Sequence, residues 1–326
     1  MNLLLAIDGG GTKTDGVLLT EEGRILARAR ERGCNPNDIG FEEACRALGQ
    51  VTGELLKPYG GVGQCALLGA FAGISGGTIG EYRQQFRDFF QKLLPGCRTV
   101  EIHSDAVTAL SSCIGHQDGC VVISGTGSAA YARQGEALFR AGGWGYLLDK
   151  GGSGYDFGRD VLYYSLCAAD GRGRDTILRR LAEEKLEMPV GDGVGEIYRR
   201  GKPFIASFAP LAFEGLRLGD WAAREILERN VRELARLLNA VGNRFPGGER
   251  PVRTGLAGGL FQEFSWMEPV LLPLLDRRHE FIRPQLPPVF GSAVEVMAAA
   301  GLEPGPEFFQ NFQESLNCCS CREKEI

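Results

Sequence analysis

Two glycine-rich segments with neighbouring hydroxyl groups are the first candidates for chemistry in this sequence. Gly9 to Thr14 reads G-G-G-T-K-T, and Gly125 to Ser128 reads G-T-G-S. A backbone that approaches phosphate oxygens closely favours residues without a Cβ, and nearby hydroxyl or cationic groups donate hydrogen bonds. Neither segment is a Walker A loop, because G-x-x-x-x-G-K-[ST] is absent. Each alone also fits an ordinary tight turn. The candidate phosphate-binding residues are Gly10, Gly11, Thr12, Lys13, Thr14, Gly125, Thr126 and Gly127.

Two aspartates follow predicted strands and suit phosphoryl transfer. Asp8 stands directly before the first glycines, where its carboxylate could hold a hydrated Mg²⁺ or accept hydrogen bonds from its own turn. Asp105 lies in S-D-A, between a predicted strand and a predicted helix. It could be a general base towards a substrate hydroxyl, or it could cap the helix, as Ser104 could equally do. The residues leave both pairs of alternatives open.

Two more glycine clusters carry groups suited to flat ligands. The G-G-W-G cluster begins at Gly142, and its Trp144 could stack on the apolar face of a sugar or plug a turn. The L-A-G-G-L segment begins at Leu256. Its small residues, Gly258 and Gly259, would let adenine lie against the backbone. The clusters add a candidate sugar contact and a candidate adenine contact.

The strands and helices that could position these groups are predicted twice along the chain. Apolar runs and glycine turns predict a three-stranded antiparallel meander over residues 3–29, with further strands and helices up to residue 114 that include a helix over Phe41 to Leu56. A long helix with a buried apolar stripe is predicted over Asp220 to Asn243. A second meander is predicted over residues 120–141. Both contain a strand, a Gly/Thr hairpin, a second strand and a glycine turn. We interpret them as an internal duplication, with chance similarity of two hairpins as the alternative.

Length and pattern predict an α/β fold with two domains. A chain of 326 residues exceeds the usual size of one hydrophobic core, so we expect a cleft between two domains. The predicted domains span residues 1–104 and 105–303. Beyond Pro304 the apolar periodicity is lost, and we expect an irregular tail over residues 304–326.

Composition excludes several classes of function. The net charge is −5 and no long Lys/Arg run occurs, which argues against nucleic acid or an anionic membrane as partner. No stretch resembles a signal peptide or a membrane span, so we expect a cytoplasmic protein. Most of the ten cysteines stand alone and fit buried, reduced thiols. The tail Cys318-Cys319-Ser320-Cys321 could bind a soft metal, but no second Cys/His pair lies nearby.

These motifs, in this order, resemble the actin/sugar kinase/Hsp70 superfamily and, within it, the BadF/BadG/BcrA/BcrD-type group that includes N-acetylglucosamine kinases. The resemblance extends from Leu3 to Gly301 and includes G-C-N-P-N around Asn35 as a substrate loop. It implies two ribonuclease H-like domains, a duplicated actin-like ATPase fold with a central cleft. It also implies ATP and Mg²⁺ as cofactors and an amino sugar, above all N-acetylglucosamine, as the substrate. A homodimer is a possible assembly.

The resemblance also implies roles for individual residues. Asp105 would be the general base, Thr12 and Thr126 would contact ATP, and Gly258 and Gly259 would border the adenosine. The residues implied to hold the amino sugar are Asn35, Asp105, Ser128, Gly143, Trp144 and Gly145.

One departure from the family bears on substrate choice. The family commonly reads G-W-G-x-x-x-G-D-E-G-S, with an acidic pair that contacts the sugar, whereas this chain reads G-W-G-Y-L-L-D-K-G-G-S. Lys150 and Gly151 occupy the places of the acids. Asp149 could substitute for them after a local shift. Alternatively, Lys150 could pair with the lactyl carboxylate of N-acetylmuramic acid, which is then a rival substrate.

Two other classes of function remain open at this point. One is an ATP-hydrolysing activator of a 2-hydroxyacyl-CoA dehydratase or benzoyl-CoA reductase, which needs an iron–sulfur cluster held by cysteines of two chains. Cys97, Cys113 and Cys120 lie in the relevant stretch without a convincing paired spacing. The other is a non-catalytic sugar sensor, although no helix-turn-helix or basic segment is evident.

Overall fold

The computed structural model describes residues 2–245 and 250–322, without the side chains of residues 319–322. The chain forms two compact units: unit 1 contains Met1–Gln117 and Pro284–Ile326, and unit 2 contains Asp118–Arg283. Within the described residues, no helix combines the length and the apolar character needed to cross a membrane. The side chains of Cys319 and Cys321 lie outside the described residues, so the metal alternative for the cysteine tail stays a prediction.

Among the described residues, ten strands build two sheets. In chain order they are β1 (Leu3–Gly9), β2 (Lys13–Thr20), β3 (Ile25–Arg32), β4 (Leu67–Ile74), β5 (Val100–His103), β6 (Gly119–Ser124), β7 (Ser128–Gln134), β8 (Ala137–Gly142), β9 (Val252–Ala257) and β10 (His279–Ile282).

The helices in chain order are α1 (Pro36–Ile39), α2 (Phe41–Leu56), α3 (Tyr82–Leu93), α4 (Asp105–Ile114), α5 (Gly154–Asp170), α6 (Ile177–Leu186), α7 (Val194–Ala206), α8 (Ala209–Arg217), α9 (Trp221–Gly242), α10 (Phe264–Leu271), α11 (Val289–Ala299) and α12 (Phe308–Arg322). Short 3₁₀ turns span Lys57–Tyr59, Gly259–Glu263 and Leu272–Leu274.

The two sheets share one topology. Unit 1 has the strand order β3-β2-β1-β4-β5, and unit 2 has the order β10-β9-β6-β7-β8, which read backwards is the same arrangement. In each sheet the first three strands form an antiparallel meander. The first strand also pairs in parallel with the fourth, which pairs in parallel with the fifth. This match confirms the predicted α/β fold and supports the internal duplication.

The sheet of unit 1 is covered on both faces. Alternate residues of β1 point to opposite faces, and all seven are buried. Leu5 and Ile7 pack in one cluster with α2 and α3, whereas Leu4 and Ala6 pack in another with α11 and α12. The helix predicted over Phe41 to Leu56 is confirmed at both ends. Its spacing of apolar residues places one stripe against the sheet.

Unit 2 is mainly helical beyond its sheet. Cys120 and Val122 of β6 pack in one cluster with apolar residues of α5 to α10. The predicted buried stripe of α9 is confirmed, because Val231, Leu234 and Leu238 are all buried. Helix α9 therefore packs against and stabilises the sheet that carries the second glycine hairpin.

The unit boundaries differ from the predicted domain boundaries at residues 104 and 303. Helix α4 belongs to unit 1, and so do α11 and α12 from the end of the chain. The physical reason is a close helix contact: a Cβ on Gly291 of α11 would collide with the carbonyl of Thr108 in α4. Because a glycine at this point lets the two helices touch, α4 is completed by residues far along the chain.

The expectation of an irregular tail is wrong. Residues Phe308–Arg322 form α12. Phe308, Phe312 and Leu316 are buried, and their spacing of four residues places them on one helix face. Phe312 contacts Phe290 of α11, with ring centroids 5.1 Å apart. The helix is held by a narrow apolar stripe in an otherwise polar sequence.

Candidate functional site

The first glycine hairpin joins β1 to β2 in unit 1. The amide of Gly10 donates to the carbonyl of Lys13 at 2.9 Å and closes the turn. Gly11, Thr12 and Lys13 are exposed, so their amides and side chains are available to a ligand. Thr14 departs from the prediction that it binds ATP. Its side chain is fully buried and its hydroxyl donates to the carbonyl of Arg32 at 2.8 Å, so it stabilises the hairpin.

The G-C-N-P-N loop lies directly on this hairpin. The amides of Gly33 and Cys34 donate to the carbonyls of Thr12 and Gly10 at 3.1 and 3.0 Å. Asn35 then caps α1, and its side-chain oxygen accepts from the Asn37 amide at 3.0 Å. The structure thus brings the predicted substrate loop and the predicted phosphate hairpin together within unit 1.

Asp8 ends β1 beside the hairpin as an almost fully buried carboxylate, 9% exposed. Burial, followed by the nearby charges of Asp105 and Asp15, raises its pKa to about 7, and the charge of Lys13 partly opposes the rise. Asp15 itself is held by Arg28, which donates at 2.9 and 2.6 Å. Asp8 and Asp105 are therefore close enough to interact electrostatically.

Asp105 is the first residue of α4. Ser104 caps the helix, because its hydroxyl oxygen accepts from the Ala106 amide at 3.3 Å. Burial raises the pKa of the Asp105 carboxyl, while hydrogen bonds from the Ser104 and Ser75 hydroxyls oppose the rise. The capping alternative thus falls to Ser104. Asp105 is left as a half-buried carboxylate with a raised pKa.

The second hairpin joins β6 to β7 in unit 2 and repeats the geometry of the first. The Gly125 amide donates to the Gly127 carbonyl at 2.9 Å, and the start of α5 braces the turn through a bond of 2.7 Å from the Gly154 amide to the Gly125 carbonyl. Thr126 and Gly127 are exposed, and Ser128 is half-buried. The outer residues of this hairpin are therefore open to a ligand.

The turn after β9 lies against the end of β6. Gly258 has a φ of 107°, a conformation that favours glycine. A Cβ there would collide with the carbonyl of Ser124. The predicted adenosine turn, with Gly259 opening the following 3₁₀ turn, is thus adjacent to the second hairpin within unit 2.

The Trp144 loop is open to solvent. Trp144 is 65% exposed, so it does not plug a turn. The Arg140 guanidinium lies 4.4 Å from the centre of its ring. Gly143 and Gly145 flank it with φ values of 76° and 96°. The Asp149 carboxylate accepts from the Trp144 amide at 3.2 Å, so it holds the loop closed on itself.

The position of Gly151 has no room for a side chain. A Cβ there would collide with the Ser128 side chain. A side chain at position 151, where the family pattern has an acid, would therefore displace the Ser128 hydroxyl, whereas Lys150 is exposed.

Sequence comparison decides which family this arrangement belongs to. The sequence profile of the BadF/BadG/BcrA/BcrD ATPase family matches residues 5–293. The chain belongs to this family. ATP is accordingly its nucleotide.

Two curated relatives of this ATPase family member are amino-sugar kinases. The N-acetylmuramic acid/N-acetylglucosamine kinase of Clostridium acetobutylicum is 30% identical over 82% of this chain and 88% of its own. The N-acetyl-D-glucosamine kinase of Dictyostelium discoideum is 33% identical over 73% of this chain and 79% of its own.

Solved structures support the ATPase fold. A candidate N-acetylglucosamine kinase from Chromobacterium violaceum superposes with a TM-score of 0.69 at 24% identity, covering 91% of this chain and 99% of that one. A ROK family glucokinase from Streptomyces griseus, with glucose and AMPPNP bound, superposes at 0.55 and 17% identity, covering 92% and 98%. These likenesses concern the fold alone.

Ser75 and Gly76, directly after β4 of this ATPase, are candidate site residues that the sequence motifs did not indicate. The Ser75 amide donates to the Gly9 carbonyl at 2.7 Å, and its hydroxyl hydrogen-bonds to Asp105. A Cβ on Gly76 would collide with the amides of Asn35 and Asn37. Residues 75 and 76 therefore touch the first hairpin, Asp105 and the loop that carries Asn35. The available signal was the S-G-G sequence at the carboxyl end of a buried strand.

Cys120 does not suit an iron–sulfur centre shared between two chains. None of the eight cysteines with described side chains forms a disulfide, and no group of three or more potential metal ligands occurs among the described residues. Cys120 is completely buried in the core of unit 2. It cannot be presented to a partner chain, which a cluster shared between subunits requires.

Proposed function

We propose that this protein is an ATP-dependent kinase of amino sugars, with N-acetylglucosamine as the leading substrate. The observation that carries the proposal is the position of Asp105. It is a half-buried carboxylate of raised pKa that directly follows the helix cap Ser104 and interacts electrostatically with Asp8 beside a glycine hairpin. Both relatives described above are kinases of N-acetylated amino sugars, which supports the substrate class.

Asp105 acts as the general base in this proposal. A sugar hydroxyl oxygen attacks the γ-phosphorus of ATP, the bond from that phosphorus to the bridging oxygen of ADP breaks, and the hydroxyl proton passes to the Asp105 carboxylate. A carboxyl whose pKa is raised by burial is a better proton acceptor than an exposed one.

The two hairpins provide the phosphate contacts. Amides, hydroxyls and one ammonium group are supplied by Gly10, Gly11, Thr12 and Lys13 of unit 1 and by Gly125, Thr126 and Gly127 of unit 2. Such groups are suited to phosphate oxygens. Gly258 and Gly259 border the adenosine.

Mg²⁺ fits the acidic side of unit 1. The charges of Asp8 and Asp105 repel each other, which contributes to raising the pKa of Asp8 to about 7, and a divalent cation relieves this repulsion. Asp8 would hold the ion through water. When bound, Mg²⁺ neutralises charge on the phosphates during transfer.

The sugar is proposed to contact Asn35, Asp105, Ser128, Asp149 and the backbone from Gly143 to Gly145, with its apolar face on the exposed Trp144 ring. The Asn35 side chain is oriented by its own cap, and the Trp144 loop is held by Asp149 and Arg140. This preorganisation reduces the entropy lost on binding. The reaction uses ATP and therefore suits the predicted cytoplasmic location.

N-acetylmuramic acid is the second candidate substrate because of Lys150. This exposed ammonium replaces an acid of the family pattern and would attract the lactyl carboxylate. An ion pair at an exposed site contributes up to about 1 kcal/mol, or roughly 5-fold in affinity.

A coupled ADP-release assay over a panel of amino sugars tests the proposal. We expect N-acetylglucosamine to stimulate ADP release in the wild type, and Asp105→Asn to abolish that stimulation. Asp88→Asn is the matched control, because Asp88 is exposed on α3. If no amino sugar stimulates ADP release, or if Asp105→Asn keeps full activity, the proposed function is wrong.

The same assay decides between the two sugars. Lys150→Asp should lower kcat/KM for N-acetylmuramic acid by about 5-fold relative to N-acetylglucosamine, as expected for one exposed ion pair. An unchanged ratio would show that Lys150 does not select the acidic sugar.

A further inference from the structure

Lys202 is a residue of unit 2 that no sequence motif singles out, yet its ammonium lies beside the second glycine hairpin. A Cβ built on Gly127 would lie 3.8 Å from the Lys202 Nζ, and no other atom outside residues 126–128 would lie within 4 Å of it. Thr126 and Gly127 are exposed at this point. The open side of the hairpin therefore faces a lysine.

The Lys202 ammonium has no acidic partner in the part of the chain that the structure describes. The residue is half-buried, and its Nζ lies 5.4 Å from the centre of the Tyr146 ring. Removing a cation from water is unfavourable unless an anion or hydrogen-bond acceptors compensate. An anionic ligand would supply the missing partner.

A break in α7 places this lysine. Gly201, directly before it, has φ 65° and ψ −155° within the helix, and Pro203 follows it. This backbone region is essentially restricted to glycine. Because of this break, the Lys202 side chain leaves the backbone in a different direction from the one that a continuous helix would impose.

We infer that Lys202 is a third phosphate-binding element of the nucleotide site, whose ammonium donates to an oxygen of the ATP polyphosphate at the Gly125–Ser128 hairpin. The inference rests on the proposed function and extends it. A lysine interacts with a phosphate group as a compact point charge. The hairpin itself contributes amides and hydroxyls but no cation, so Lys202 supplies the charge that its motif lacks.

Calorimetric titration with ADP and with adenosine, both in the presence of Mg²⁺, tests this role directly. We expect Lys202→Met to weaken ADP binding by about 10- to 100-fold, as for loss of a charged hydrogen bond, and to leave adenosine binding unchanged. Lys202→Arg keeps the charge and should recover most of the ADP affinity. Lys185→Met is the matched control, because Lys185 also lies over an aromatic ring in unit 2 but donates to the Ser207 carbonyl.

The other outcomes separate this inference from the proposed function. ADP binding that is equal in the wild type and Lys202→Met overturns the role of Lys202, and so does an equal loss of ADP and adenosine binding. If Lys202→Met changes only the KM for N-acetylmuramic acid, the lysine recognises a sugar carboxylate and the inference is wrong. If the wild type phosphorylates no amino sugar but binds ADP in a Lys202-dependent way, the proposed function fails and the phosphate contact stands. A wild type that binds no ADP overturns both.

Discussion

Replacement of Asp8 by asparagine should stabilise unit 1 at alkaline pH. Burial and neighbouring carboxylates raise the pKa of Asp8 from its ordinary 3.8 to about 7 in the folded protein. Between these values the folded chain keeps a proton that the unfolded chain releases, so the free energy of unfolding falls as the pH rises. Asparagine has nearly the same shape and no charge, and therefore removes this pH dependence.

The size of the effect follows from the two pKa values. For one carboxyl group whose pKa is 3.8 in the unfolded chain and about 7 in the folded protein, the free energy of unfolding decreases by about 2.5 kcal/mol between pH 5 and pH 8. The advantage of Asp8→Asn over the wild type should grow by about that amount over the same interval.

Hydrogen exchange of the β1 amides is the appropriate assay, because it reports opening of unit 1 itself. Tryptophan fluorescence is unsuitable, since Trp144, Trp221 and Trp266 all lie in unit 2. Protection would be measured at pH 5 and pH 8 after correction for the intrinsic exchange rate, with Asp88→Asn as control. If the wild type and Asp8→Asn show the same change in protection, the burial argument for Asp8 is refuted.

Three further changes test other parts of the structure. Asp105→Asn should lower kcat by about 10²- to 10⁴-fold. In the wild type, kcat/KM should fall on the acid side at a pH above the usual carboxylate range, because the base must be deprotonated and its pKa is raised; a pH profile checks this. Gly201→Ala should impose about 1–3 kcal/mol of backbone strain and weaken ADP binding by displacing Lys202, which calorimetry would detect. Phe312→Ala should destabilise the docking of α12 by about 3–5 kcal/mol; unchanged exchange of the α12 amides would contradict its packing role.

The sheets were predictable because their signals are local. Alternating apolar runs and glycine turns indicated both meanders, and the regular stripe of α2 indicated a helix with the correct ends. The repetition of one strand pattern then indicated the duplicated topology that the structure shows. Such patterns depend on neighbours within a few residues, so sequence alone carries them.

The boundaries and the tail were not predictable in the same way. Residue 104 was a reasonable end for a domain because β5 stops there, yet α4 is completed by Gly291 of α11 from the far end of the chain. The apolar residues of α12 occur once every four positions among polar ones, which is a weak periodic signal. Both errors come from contacts between residues that are distant in sequence.

The motifs of the site were predictable from the sequence, but the hydrogen bonds and positions of individual side chains were not. Spacing could not tell whether Ser104 or Asp105 caps α4. In the structure Ser104 has the cap position and its hydroxyl oxygen accepts from the Ala106 amide, whereas Asp105 is the first helical residue. It also could not show that Thr14 turns its hydroxyl to Arg32. Lys202 had no motif, because its position depends on a helix break.

The insertion of unit 2 into the chain of unit 1 has a consequence for biosynthesis. The sheet face that carries Leu4, Ala6 and Phe71 is covered by α11 and α12, which the ribosome makes only after all of unit 2. At roughly 5–20 residues per second, the interval from Gln117 to Ala299 is roughly 10 to 40 s. During that time the first segment of unit 1, Met1–Gln117, presents an uncovered apolar sheet. The nascent chain should therefore depend on chaperones at its N-terminal end, while the later unit folds first.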